Sequence, residues 1–276
     1  HLGFAPVIVR ACDPWAPALA SYRANLSRFL LNPGVVSACR AEDLPDLPSC
    51  DLLLSGPPCV RDSTLSKGLG REDPGGTIAA TKGACASFED QARFEVMETV
   101  GLQWVPWGLE HGFQPLRVQD AALGGYTTRR RTLLLRGFRQ ELPSLTEAAP
   151  RAWSRAPGLE RFADPRFVMA NDADVVAKHR RQNKAWDEPG YGIVGHGTSH
   201  RIYDTGPSGD EWTYVHRLSP EESRSLSGFG PGLQLLSARV RERQTLVGNG
   251  WPASFGRLVG RLVAAEILAE CAAEQR

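Results

Sequence analysis

Over its first 137 residues the chain alternates short apolar runs of strand length with stretches that read as helix, and this restricts its fold more than any other feature. Residues 7–13 (VIVRACD), 51–56 (DLLLSG), 94–100 (FEVMETV), 115–121 (PLRVQDA) and 131–137 (RTLLLRG) are strand candidates. Residues 14–26 read as a helix opened by Pro14, whose fixed φ suits a first turn. Strands separated by helices pair in parallel, and their apolar runs require cover on both faces. The expected fold class is therefore α/β, with a doubly wound, mostly parallel, Rossmann-like sheet and a smaller irregular domain. Ligands of such sheets gather outside the carboxyl ends of the strands. Asp13 ends the first run, and the turn SGPPC (55–59) places Cys59 just after the second.

From 138 to 214 periodicity fades and Pro, Gly, Arg and Asp become frequent, which marks a separate irregular domain. Residues 215–276 are regular again. RLSPEESRSLSGF (217–229) reads as a helix with Ser219 as N-cap and Glu222 completing a capping box. Residues 254–276 read as an amphipathic helix.

Charge gives no global signature: 32 Lys and Arg stand against 31 Asp and Glu. Any polyanion has to be met by local clusters, of which 127–139 and 178–184 are the densest. The six cysteines (12, 39, 50, 59, 85 and 271) show no CxxC spacing, and His196 and His200 lie in a glycine-rich stretch, so no metal site is expected. Scattered cysteines point to a reducing, intracellular setting. No apolar run approaches the ~20 residues of a membrane helix, and HLGFAPVIVR lacks the marks of a signal peptide.

Seven segments resemble, in order, the motifs of the DNA cytosine-5 methyltransferase family. ACDPWAPALASYRAN (11–25) and AEDLPDLPSCDLLLSG (41–56) resemble its two cofactor-side segments. GPPCVRDS (56–63) resembles GPPCQxxS, METVGL (97–102) resembles ENV, and GGYTTRRRTLLLRG (124–137) resembles QxRxR. RLSPEESRSLSGF resembles RxLTPxExxxLQGF, and RERQTLVGNGWPASFGRLVG (241–260) resembles the closing GNxxP segment.

The resemblance implies a class I methyltransferase core over 1–137, a target-recognition domain over 138–214, and a return to the core over 215–276. It implies methyl transfer from S-adenosyl-L-methionine to C5 of cytosine in double-stranded DNA, leaving S-adenosyl-L-homocysteine. The thiolate of Cys59 would add to C6 of a flipped base. Glu98 would bond N3 and the exocyclic amine, and Arg129 and Arg131 would hold the base's carbonyl oxygen, with Arg130 the alternative register. Residues 60–76 resemble the mobile catalytic loop, with Gly68, Gly70, Gly75 and Gly76 as hinges.

On the cofactor, Asp13 would bind ribose hydroxyls and Asp43 the adenine amine, with Leu44 against the ring and Pro14 or Trp15 on its other face. Pro58 and Asn249 would line the methionine end. A charge complementing a helix N-terminus is the competing role for Asp13 and Asp43. Lys178, Arg180, Arg181 and Lys184 would meet DNA phosphates, with Ser63, Lys67 and Arg130 also on the DNA side.

Several features depart from the family pattern. The glycine-rich FxGxGG loop expected ahead of Asp13 is not in the sequence, so an N-terminal segment or a second chain is expected to supply it. Val60, Thr99 and Thr127 (or Thr128) replace the usual Gln, Asn and Gln. Two alternatives stay open: a tRNA cytosine-5 methyltransferase on the same core, and an inactive DNA-binding regulatory homologue. The size of 138–214 favours DNA over tRNA. The expected setting is DNA-associated, in the nucleus of a eukaryote or the cytoplasm and nucleoid of a bacterium or phage host.

Overall fold

The computed structural model describes residues 6–40, 43–44, 48–57, 91–100, 104–139, 148–170, 183–193, 200–209 and 212–275. The chain forms two compact units. His1–Val118, Arg131–Pro143 and Val259–Arg276 make the first; Gln119–Arg130 and Ser144–Leu258 make the second.

The first unit opens with β1 (Ala11–Cys12) paired in parallel with β2 (Val36–Ser37), and α1 (Ala16–Leu26) crosses between them. Leu19 of α1 packs with Val35 and Val36, flanked by Ala11, Tyr22 and Leu30. The strand expected over 7–13 is regular only at its end. Val7 is exposed, and among the described residues Ile8 makes a single parallel bridge to Leu30 rather than a longer ladder. The helix begins at Ala16 rather than Pro14, because the Asp13 carboxylate takes the N–H of Trp15 and sets the turn ahead of it.

The main sheet runs in the order β3–β4–β6–β5, from β3 (Cys50–Ser55), β4 (Ala92–Thr99), β5 (Gln114–Gln119) and β6 (Arg130–Arg136). β3 and β4 are parallel, and β6 returns antiparallel to β4. The main sheet is therefore mixed, and the separate two-stranded β1–β2 pair is parallel like β3–β4. β4 is buried from Phe94 to Thr99, as its apolar run requires. α2 (Trp104–Glu110) covers the sheet with Trp104 and Trp107 set against Met97, Phe113 and Leu134. After β6, Gly137 takes a φ of +87°, and a Cβ there would lie 2.0 Å from the Arg93 carbonyl.

The second unit contains an antiparallel sheet in the order β10–β9–β7–β8. Its strands are β7 (Phe167–Ala170), β8 (Lys184–Ala185), β9 (Arg201–Asp204) and β10 (Thr213–Arg217). Its core gathers Trp153, Phe162, Met169, Ile202, Leu226 and Val247, so α3 (Pro220–Leu226) and α4 (Val240–Asn249) pack with this sheet. The capping box of α3 is formed: Ser219 Oγ accepts the Glu222 N–H at 3.1 Å, and Glu222 Oε2 accepts the Ser219 N–H at 2.8 Å. Burial would raise the Glu222 carboxyl, but the Ser219 N–H, His216 and Arg161 outweigh it and hold it below the usual range. The boundary between the units falls within α5 (Ala253–Glu274). Among the described residues no helix is long and apolar enough to cross a membrane.

His200 gives the second unit a pH dependence. It is 3 % exposed, and burial pushes its imidazole down to about 4, against a hydrogen bond to the Gly192 backbone that raises it. The unfolded chain therefore binds a proton that the folded unit refuses, and stability falls as pH drops from the ordinary histidine range towards 4. Thermal melts between pH 7 and 5 are expected to show stability falling by up to about 1.4 kcal/mol per pH unit. His200→Phe should flatten that slope; an unchanged slope in the variant would disprove the assignment.

Candidate active site

The parallel register sets Ser55 opposite Met97, so Gly56 and Pro57 leave β3 at the sheet edge where Glu98 follows Met97. The antiparallel register sets Glu98 opposite Leu133. Arg131 lies two residues back along β6, on the same face as Leu133 and diagonal to Glu98, within reach of a long side chain. Its Nε forms an ion pair with Glu98 Oε1. Glu98 is only 8 % exposed, so its charge sits in a largely dry setting. Of the two arginine registers left open by the sequence, it is Arg131 that meets Glu98, while Arg130 is exposed. Deeper in the same strands, Arg136 Nη2 donates to Glu95 Oε1 at 2.6 Å, and its guanidinium lies 4.7 Å from the Phe113 ring centre.

At the carboxyl end of β1, the Asp13 N–H donates to the Ser37 carbonyl at 3.3 Å, and Asp13 Oδ1 accepts the Trp15 N–H at 2.7 Å. Asp13 and Trp15 are half-buried and Pro14 is exposed. The Cys12 thiol hydrogen-bonds Cys39, and burial together with Cys39 and Asp13 pushes it up to about 11. An acid at a strand's carboxyl end is placed as the hydroxyls of a nucleoside, such as that of S-adenosyl-L-methionine, would require. Asp43 is exposed with its N–H on the Arg40 carbonyl, and Leu44 is half-buried.

In the second unit Arg129 is 6 % exposed. Its carbonyl accepts the Asp120 N–H at 2.9 Å, and the neighbouring Thr128 N–H donates to the Gly190 carbonyl at 2.7 Å. Gly192 lies so close that a Cβ there would be 2.9 Å from the Arg129 Cβ. Asn249 is exposed at the end of α4, and Lys184 is half-buried with Nζ 6.0 Å from the Tyr191 ring centre. Pro58, Cys59, Val60, Ser63, Lys67, Lys178, Arg180 and Arg181, with the hinge glycines of 60–76, lie outside the described residues. Sequence reasoning missed Asp120, whose one sequence signal is its place at the end of a strand, and Ser254, which it meets across the chain.

Removing Arg131 is expected to strand a buried carboxylate. Arg131→Met should cost about 3 kcal/mol in urea unfolding, and Glu98→Leu combined with Arg131→Met should recover most of it. Unchanged stability in Arg131→Met would show that the pair contributes nothing.

No family model and no curated protein matches the chain by sequence. Solved structures do match it in shape. Dnmt2 methyltransferase of S. pombe superposes with a TM-score of 0.63 at 13 % identity, over 96 % of this chain and 93 % of that one. A prophage-encoded E. coli protein named as a DNA modification methyltransferase gives 0.63 at 12 %, over 96 % and 94 %. The Entamoeba histolytica methyltransferase EhMeth gives 0.57 at 11 %, over 94 % and 90 %. The chain has the fold of these methyltransferases, a Rossmann-like α/β core carrying a second compact unit.

Proposed function

We propose that the chain transfers a methyl group to C5 of cytosine in double-stranded DNA, with Cys59 as the nucleophile. The observation that carries this reading is the Glu98–Arg131 pair, at the sheet edge where the Gly56–Pro57 turn leaves β3 on its way, in sequence, to Cys59. The motif resemblance and the shared fold support it independently.

The chemistry follows from the residue types. Cytosine C5 is a weak nucleophile until a thiolate adds to C6 and pushes electron density towards C5. Glu98 bonds N3 and the exocyclic amine of a base that has left the duplex stack, and so stabilises the ring as charge develops on it. Arg131 fixes the Glu98 carboxylate and limits which way it can point. S-adenosyl-L-methionine would be held by Asp13 and Trp15 with Asp43 and Leu44, and would supply the electrophilic methyl group. Loss of the C5 proton then expels the Cys59 sulfur and restores the ring. On the same reading, a glycine-rich segment from preceding sequence or a second chain completes the cofactor site. The edge strand β3, where Leu54 is 53 % exposed, offers it a place to join the sheet.

A duplex carrying 5-fluorocytosine blocks the final elimination and traps the enzyme on its substrate. Wild type with S-adenosyl-L-methionine is expected to give a covalent adduct that Cys59→Ser abolishes. An adduct formed only with similarly substituted tRNA would replace DNA by tRNA as the substrate. Tight duplex binding with no adduct and no cofactor binding would make the chain a non-catalytic DNA-binding subunit.

A further inference from the structure

The segment that carries Arg129 is tied to a buried acid, Asp120, which follows β5 and is 1 % exposed. Asp120 Oδ2 accepts the Thr127 N–H at 3.0 Å and the Thr127 hydroxyl at 2.7 Å, and Oδ1 accepts the Ser254 hydroxyl at 2.5 Å. The Asp120 backbone joins in: its N–H donates to the Arg129 carbonyl at 2.9 Å, and its carbonyl accepts the N–H groups of Leu123 and Gly125. Since the Thr127 hydroxyl gives its proton to Asp120, its oxygen presents a lone pair, and the Arg129 N–H donates to it at 3.4 Å. Gly125 is required beside this cluster, because a Cβ there would lie 1.9 Å from Asp120 Oδ1.

A buried carboxylate is a costly way to close a turn, and it persists only where several donors converge on it. Here three donors converge, and two come from the residue two positions before Arg129. The Arg129 backbone is thus held at both its N–H and its carbonyl by one small network. We infer that Asp120 and Thr127 are positioning residues for Arg129, the arginine that the motif resemblance turns to the base, and that they fix the backbone from which its side chain starts. Thr127 then does not merely lack the side-chain amide that the family pattern leads one to expect. Its hydroxyl links the acid to the arginine, and a valine of the same shape cannot do so.

This inference rests on the proposed methyl transfer, and the experiment separates the two. Adduct formation on the 5-fluorocytosine duplex is followed in single turnover for wild type, Thr127→Ser, Thr127→Val, Arg129→Ala and the Thr127→Val/Arg129→Ala pair. Melting curves and duplex affinity are measured alongside. Thr127→Val is expected to slow the reaction about tenfold with affinity unchanged, and Thr127→Ser to restore it. In the Arg129→Ala background Thr127→Val should add less than about twofold, since its effect passes through the arginine. Ser254→Ala, which removes another donor from Asp120, stands in if Thr127→Val fails to fold and should slow the reaction in the same way. Wild-type rates in Thr127→Val, equal losses in the Ser and Val variants, or a full tenfold loss added to Arg129→Ala would overturn the inference and leave methyl transfer intact. No adduct with wild type on DNA or tRNA would sink methyl transfer itself, and the positioning role with it.

Discussion

The antiparallel pairing of β4 with β6 decides where four charges go. Its register places Glu98 diagonal to Arg131 and Glu95 directly opposite Arg136. Successive side chains on a strand point to opposite faces, so a slip of one residue would exchange these groups with the apolar ones between them. Phe94, Val96 and Met97 on one strand and Leu133, Leu134 and Leu135 on the other are almost wholly buried, which makes such a slip very costly. The apolar core thus fixes the register, and the register brings each acid to its arginine.

Glu95 and Glu98 of the first unit and Asp120 of the second are satisfied by different means. In the first, Glu95 and Glu98 each meet an arginine. In the second, Asp120 is held by backbone and hydroxyl donors. An ion pair tolerates small displacements, because charge attraction falls off slowly with distance. A carboxylate held by hydroxyls does not, because each such bond is short and directional.

Much of the first unit was legible in the sequence, because its strands carry short apolar runs between turn and helix signals. The runs at 51–56, 94–100, 115–121 and 131–137 become β3, β4, β5 and β6 with ends moved by a residue or two. The capped helix could be read from Ser219 and Glu222 because a capping box is entirely local. The antiparallel sheet of the second unit could not be read, since β7 and β9 have four residues each and β8 two, too few to show a period. At the candidate site, Glu98 and the arginine run stood out in the sequence, but the choice between Arg130 and Arg131 needed the cross-strand register. Asp120 gave no signal of its network, because Ser254 lies 134 residues away.

The second unit is assembled from two separate stretches, and the shorter one, Gln119–Arg130, lies between β5 and the rest of β6. It cannot be cut out as one continuous piece. A recombination event or a designed chimera that exchanged only the long stretch would leave Asp120, Thr127 and Arg129 behind and part them from Ser254, Gly190 and Gly192. The short insert has to be inherited together with the long one.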